Sequence, residues 1–510
     1  MKNFKNIVVI GAGISGLCFA ALAARKGHRV TIVEAHPSNV GGLAATVSFG
    51  SQNSTFGPRY LWDFGEGDFG SDLLKSLGLE DRVEMVKLDD HGFDRVYLNE
   101  GDDPFLVPQN LETYIEKLCK LFPSDEHGLR SFFKLCKKSY RVSRFSSLEG
   151  LVFLGWISRI RKLVGEFKFD LGAYWYFFSL VKKTTADVMA RFRLSADVQR
   201  LLTAHALIFA EHPTSLSFHA FSSATINYTR GSYFPKGGMQ SVFNALLQLI
   251  EKHGGEIRNA FEVVSFSSSA GGVVSLKSSD GDTVDGDLFV STIDPRRLVS
   301  VFKNSGEKTP SNYSKFNHSG SLNALFIDVK QHKELADVFG KWNVWIARPP
   351  SDIARETRCN FPMYVNSPSL SYMKNQGDKN RDSVSITAFY AVQHTTSDSG
   401  SRNARVARAK IFDADEAIAT LDRYLGTHIK ENLLDHKLFT PTDIEKEFCV
   451  TGGAVYGKAF TCDDLLRNVP MQTGISNFFQ AGQYTSFAGI IPSLQSSVFL
   501  AEMLEKQGKI

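Results

Sequence analysis

A chain of 510 residues with 43% hydrophobic content is long enough for two or three structural units and can bury a large core. Its formal charge of +4, with no long basic block, lacks the electrostatic footprint of a nucleic-acid binder, so that class of partner is excluded. The six cysteines, Cys18, Cys119, Cys136, Cys359, Cys449 and Cys462, contain no CxxC pair; they fit neither a zinc site nor a secreted disulfide framework, and a reducing, cytoplasmic compartment is expected.

The first residues run straight into a strand without the regions of a signal peptide, so the mature protein is expected to start near Met1. Ile7 to Ile10 is a β-branched run of the kind found in a buried parallel strand. Gly11-Ala12-Gly13-Ile14-Ser15-Gly16 follows, then an alanine-rich helix over Leu17 to Lys26 that stops at Gly27. Arg29 to Val33 supplies a second strand, and Glu34 stands at its end, 18 positions after Gly16. This is the dinucleotide-binding pattern. Gly11 allows the tight turn, Gly13 lets backbone approach a pyrophosphate, Gly16 lets helix and strand pack, and Glu34 accepts from a ribose hydroxyl and disfavours a 2′-phosphate. The fingerprint alone does not separate NAD from FAD; Gly41-Gly42, a second glycine loop, favours the longer cofactor.

Residues 73–233 show mainly helical patterns. Within them, 146–183 interleaves Leu151, Phe153, Trp156, Phe167, Tyr174 and Trp175 with basic residues. Two readings stand: a segment in a membrane interface, giving a peripheral membrane contact, or a pair of core helices. No apolar run reaches the roughly 18 residues of a spanning helix. His205, Glu211, His212 and His219 cluster further on; with no HExxH and no cysteine partners they make a poor metal site, and no metal is expected. Glu211 and His212 are the candidates for acid/base chemistry, against a reading as caps and surface hydrogen bonds. No GxSxG supports a serine nucleophile.

Tyr233-Phe234-Pro235-Lys236-Gly237-Gly238-Met239 comes next, and Asp287 to Thr292 reads as a strand. Asn323 to Val329, Asn343 to Ala347 and Val384 to Ala391 are also strand-like, and Thr395 to Arg402 reads as an exposed loop. At the far end, Phe478 to Gln483 runs from an apolar strand into a glycine turn. Gly489-Ile490-Ile491-Pro492 then opens a helix whose positive end suits an anionic ring.

Taken together, GAGISG, Glu34, Gly41-Gly42, YFPKGGM and the AGQ turn at Ala481-Gly482-Gln483 resemble the phytoene desaturase and carotenoid isomerase family of flavoproteins, within the amine oxidase superfamily. The resemblance implies an α/β fold: a Rossmann-like, GR2-type FAD-binding domain, discontinuous over 1–72, 234–300 and 445–510, with an inserted α+β substrate domain over 73–233 and 301–444. It implies FAD as cofactor, with Gly11, Gly13, Gly16, Glu34, Gly41 and Gly42 at the ADP and diphosphate portion. It places Val263 on the adenine side, and Gly482, Gln483, Ile490 and the adjoining Ile491 at the ribityl and ring portion. Two departures accompany it: Leu43 stands where the family has a cation near the diphosphate, and Gln483 replaces the usual acid. The acidic-proline loop after Ser367-Pro368-Ser369 is also reduced, at Leu370 to Asp378.

The expected function is an FAD-dependent desaturase or isomerase acting on a long apolar polyene; 40 phenylalanines, roughly twice ordinary usage, suit such a substrate. The alternatives are an amine or protoporphyrinogen oxidase on the same fold, and a lipid-binding escort protein that has lost its flavin, which Leu43 and Gln483 favour. The exact substrate, the electron acceptor and the oligomeric state are not legible.

Overall fold

The computed structural model describes residues 4–49, 52–57, 60–145, 179–180, 182–269, 271–340, 342–347, 362–367, 370, 383–391, 414–467 and 469–510. The expectations for 146–183 fall almost entirely outside them, as do the loop at 395–402 and nearly all of 370–378.

The amino-terminal strand Asn6–Ile10 is buried over four of its five residues, as its β-branched run requires. It pairs in parallel with Arg29–Val33 on one side and Leu288–Ser291 on the other. Glu256–Arg258 and Phe478–Gln480 complete a five-stranded sheet in which every pair is parallel. The helix Ile14–Arg25 buries nearly its whole surface, which only small residues permit: its alanines let it lie between the sheet, the helix Met239–Lys252 and the helix Ile490–Lys506. The first and last parts of the chain thus share one layer.

A second sheet of seven strands carries the other half of the molecule. Its order is Leu433–Phe439, Leu322–Lys330, Ser383–Ala391, Met363–Asn366, Asn343–Ile346, Asp94–Tyr97 and Phe105–Val107. All neighbours are antiparallel except Asn343–Ile346 with Asp94–Tyr97. Helices Leu111–Leu121, Glu126–Phe145 and Phe218–Arg230 pack together beside it. The expected helical stretch over 73–233 therefore also contributes the last two strands at one end of this sheet, of which Phe105–Val107 is the edge. Phe132 and Phe133, fully buried, join edge-to-face with ring centroids 5.5 Å apart, and Phe132 repeats that contact with Phe218 at 5.7 Å. Among the described residues no helix is long and apolar enough to cross a membrane.

Candidate active site

The chemistry-bearing residues of the amino-terminal unit meet at the carboxyl ends of the parallel strands, where open α/β sheets place their ligands. Gly13 caps the helix Ile14–Arg25 without any side-chain cap, so the amides of its first turn are left for an external acceptor. Glu34 is aimed by two backbone donors: its Oε2 accepts from Ala12 N at 2.7 Å and its Oε1 from His36 N at 2.9 Å. Gly41 has a left-handed φ of 113°, and its amide donates to Ala12 O at 2.9 Å, which locks the second glycine turn onto the first.

The far end of the chain closes over the same place. Ser15 Oγ donates to Ser493 O at 3.1 Å, and Ser497 Oγ donates to Ser15 O at 2.8 Å. The Gly482 turn is held to the same helix by its amide donating to Ser496 Oγ at 2.9 Å. Gly489 caps the helix Ile490–Lys506, again without a side-chain cap. Two uncapped helix starts therefore open on one cavity of about 840 Å3. Gly11, Gly13, Glu34, Gly41, Gly42, Leu43, Val263, Gln483, Ile490 and Ile491 all line it. Gly16 and Gly482 stand just behind, at the packing contacts that shape it. Arg297 also lines the cavity, with its Nη1 3.5 Å from Glu262 Oε1, next to Val263.

Beyond the glycines the cavity becomes an aromatic arm. Phe56, Tyr60, Tyr228, Trp345, Tyr364 and Phe389 form its wall. Their rings form two groups: Phe56 with Phe389 at 5.7 Å, Phe389 with Tyr364 at 6.0 Å and Tyr364 with Trp345 at 4.5 Å, and separately Tyr60 with Tyr228 at 4.9 Å between centroids; the His205 ring links the two, 4.6 Å from Trp345 and 6.1 Å from Tyr228. Burial pushes the Tyr60 and Tyr228 hydroxyls well above their ordinary pKa, so both stay neutral.

The polar cluster read from the sequence is taken apart by the fold. Glu211 and His212, the acid/base candidates of the sequence, are not among the residues that line the cavity. His212 Nδ1 lies 2.7 Å from Thr214 Oγ1, and Glu211 Oε2 accepts from Ser215 Oγ at 3.0 Å, so both brace a surface-side turn. His219 does reach the cavity wall, where its Nδ1 is 3.1 Å from Ser139 Oγ. His205 turns instead to Asp94, a residue that sequence reading missed because it sits in a four-residue strand beside a charged neighbour. Tyr60 was missed as well; its only signal is its position shortly after Gly41-Gly42.

A model of flavin containing amine oxidoreductases matches residues 14–496, nearly the whole chain. The chain belongs to the flavin-containing amine oxidoreductase family. Its cofactor is FAD, and the donor set fits it: an acid for a ribose, two uncapped helix starts for anionic groups, and a cavity long enough to connect them. Curated relatives include a 4,4'-diapophytoene desaturase of Methylomonas sp, 22% identical over 99% of this chain and 96% of that protein. An inactive all-trans-retinol 13,14-reductase of Danio rerio is 26% identical over 49% of this chain; the match spans only 40% of that relative's length. Among solved structures, putrescine oxidase bound to putrescine superposes with a TM-score of 0.65 at 12% identity, covering 99% of each chain. At that identity the likeness speaks for the fold alone. The chain has the mixed α/β architecture of these flavoproteins, with a parallel nucleotide sheet.

Proposed function

We propose that this flavoprotein acts on a long apolar polyene, as a desaturase or isomerase. The observation that supports this reading is the aromatic arm, continuous with the nucleotide end and built from rings rather than charges. An extended hydrocarbon gains from such a wall roughly 25 cal/mol for each Å2 withdrawn from water. Bound FAD supplies a two-electron acceptor or donor. The chain's own residues hold the substrate flat between rings, exclude water, and orient the reacting carbons along the arm. The similarity to a diapophytoene desaturase over nearly its full length points the same way.

Anaerobic yellow protein mixed with micellar 4,4'-diapophytoene is expected to lose its flavin absorbance, and pre-reduced protein to isomerise or saturate an added polyene such as all-trans-retinol. Absence of all these responses, with peroxide formed from putrescine in air, would replace the reading by amine oxidation. That second reading draws on the same rings, because aromatic faces also hold a cation. A peripheral contact with membrane belongs to the polyene reading, since such a substrate resides in lipid; co-flotation with vesicles tests it.

A further inference from the structure

Behind the aromatic wall lies a buried array of ionisable groups that the binding role above leaves unused. Tyr60 lines the cavity, and its hydroxyl donates to Asp94 Oδ2 at 3.2 Å. His205 Nε2 is 2.8 Å from the same oxygen, and the imidazole packs on the Trp345 ring with centroids 4.6 Å apart. Asp94 is fully buried, and its other oxygen, Oδ1, has no hydrogen-bond partner among the described residues. A buried carboxylate with one oxygen unmatched is costly, and folded cores rarely retain one without a use. The three residues come from separate parts of the chain: the segment after Gly41-Gly42, the strand Asp94–Tyr97 and the short turn Ala204–Phe209.

Other titratable groups face this array from each neighbouring element. They are Tyr114 of the helix Leu111–Leu121, Tyr228 of the helix Phe218–Arg230 and Tyr364 of the strand Met363–Asn366. Burial raises Tyr114 and Tyr228, which keeps them neutral. Arg95, next to Asp94, turns away to the Asp337 carbonyl at 2.7 Å and to the Trp342 ring.

We propose that Tyr60 is the proton-transferring residue of this cavity, with Asp94 and His205 as the positioning pair behind it. The inference rests on the polyene reading above. In the dehydrogenating direction a C–H bond of the substrate breaks and its proton goes to the Tyr60 oxygen, while the proton already on Tyr60 passes to Asp94 Oδ2. The electron pair left on carbon becomes the new C=C bond as the neighbouring carbon gives up a hydride, for which bound FAD would supply the two-electron acceptor. Run backwards, the same path delivers the proton that saturates a double bond. A free tyrosinate is disfavoured in this apolar wall, so the transfer works only if coupled to release of the Tyr60 proton onto Asp94 Oδ2, 3.2 Å away.

The test is anaerobic mixing of the FAD-loaded protein with micellar 4,4'-diapophytoene, following flavin absorbance in H2O and in D2O across pH. Tyr60→Phe keeps the ring and removes the hydroxyl. Its limiting rate is expected to fall by roughly 100-fold or more. Its visible spectrum and its affinity for the polyene, read by tryptophan quenching, stay unchanged, and the solvent isotope effect of the parent protein disappears. Asp94→Asn is expected to give a similar loss, and His205→Gln a smaller loss with a displaced pH profile; these two carry the test if Tyr60→Phe fails to hold FAD. Bleaching of Tyr60→Phe at the parent rate, with the isotope effect intact, overturns the proposal and leaves the polyene reading standing. A parent protein that binds the polyene but never bleaches, and that when pre-reduced neither isomerises nor saturates all-trans-retinol, overturns both.

Discussion

A methyl group on Gly16 would stand 2.0 Å from the Gly11 carbonyl oxygen, inside any permissible contact. Gly16→Ala is therefore expected to push the helix Ile14–Arg25 off its strand, to cost about 1–3 kcal/mol in chemical denaturation, and to yield protein with little yellow colour. His219 acts through pH. Burial lowers its imidazole from an ordinary 6.5 to about 4. As pH falls below 6.5 the unfolded chain takes up a proton that the folded one refuses until about 4, so stability declines across that window. Between pH 7 and 4.5, His219→Gln is expected to lose about 2–3 kcal/mol less than the parent in urea midpoints at the two pH values. Glu34 was legible in the sequence because spacing alone defines its task. Glu211 and His212 were not, because Ala210 adopts a left-handed φ of 50° and the chain changes direction between His205 and Glu211.

At the scale of elements, the helix Ile490–Lys506 is tied to the nucleotide turn through Ser496, which accepts from Gly482 N and lies 2.7 Å from Thr485 Oγ1. Ser496→Ala leaves a buried amide unmatched. A loss of about 1–3 kcal/mol is expected, and equilibrium dialysis is expected to show weaker FAD retention; unchanged retention would mean the turn is fixed by other contacts. The strands of the parallel sheet were readable because buried parallel strands are written as continuous apolar runs. Asp94–Tyr97 was not: it is four residues long and begins Asp-Arg, and its membership depends on pairing with Asn343–Ile346 some 250 positions away. No local pattern encodes that pairing.

Across the whole molecule, the nucleotide half and the substrate half meet in rings. Phe389, on the substrate sheet, contacts Phe56, which follows the second glycine turn. Phe389→Ala is expected to cost about 3–5 kcal/mol and to weaken polyene binding, while the flavin spectrum persists. Loss of flavin instead would show that the seam supports the nucleotide end. That strands from both ends of the chain share one sheet was visible from motifs at both ends, whereas the strand order of the larger sheet was set by long-range pairing and stayed hidden. The bonds that join Ser15 to Ser493 and to Ser497 link positions 478 and 482 residues apart. The pocket is therefore a latch between stretches far apart in the chain: it closes only when the helix Ile490–Lys506 docks against the turn that holds Ser15.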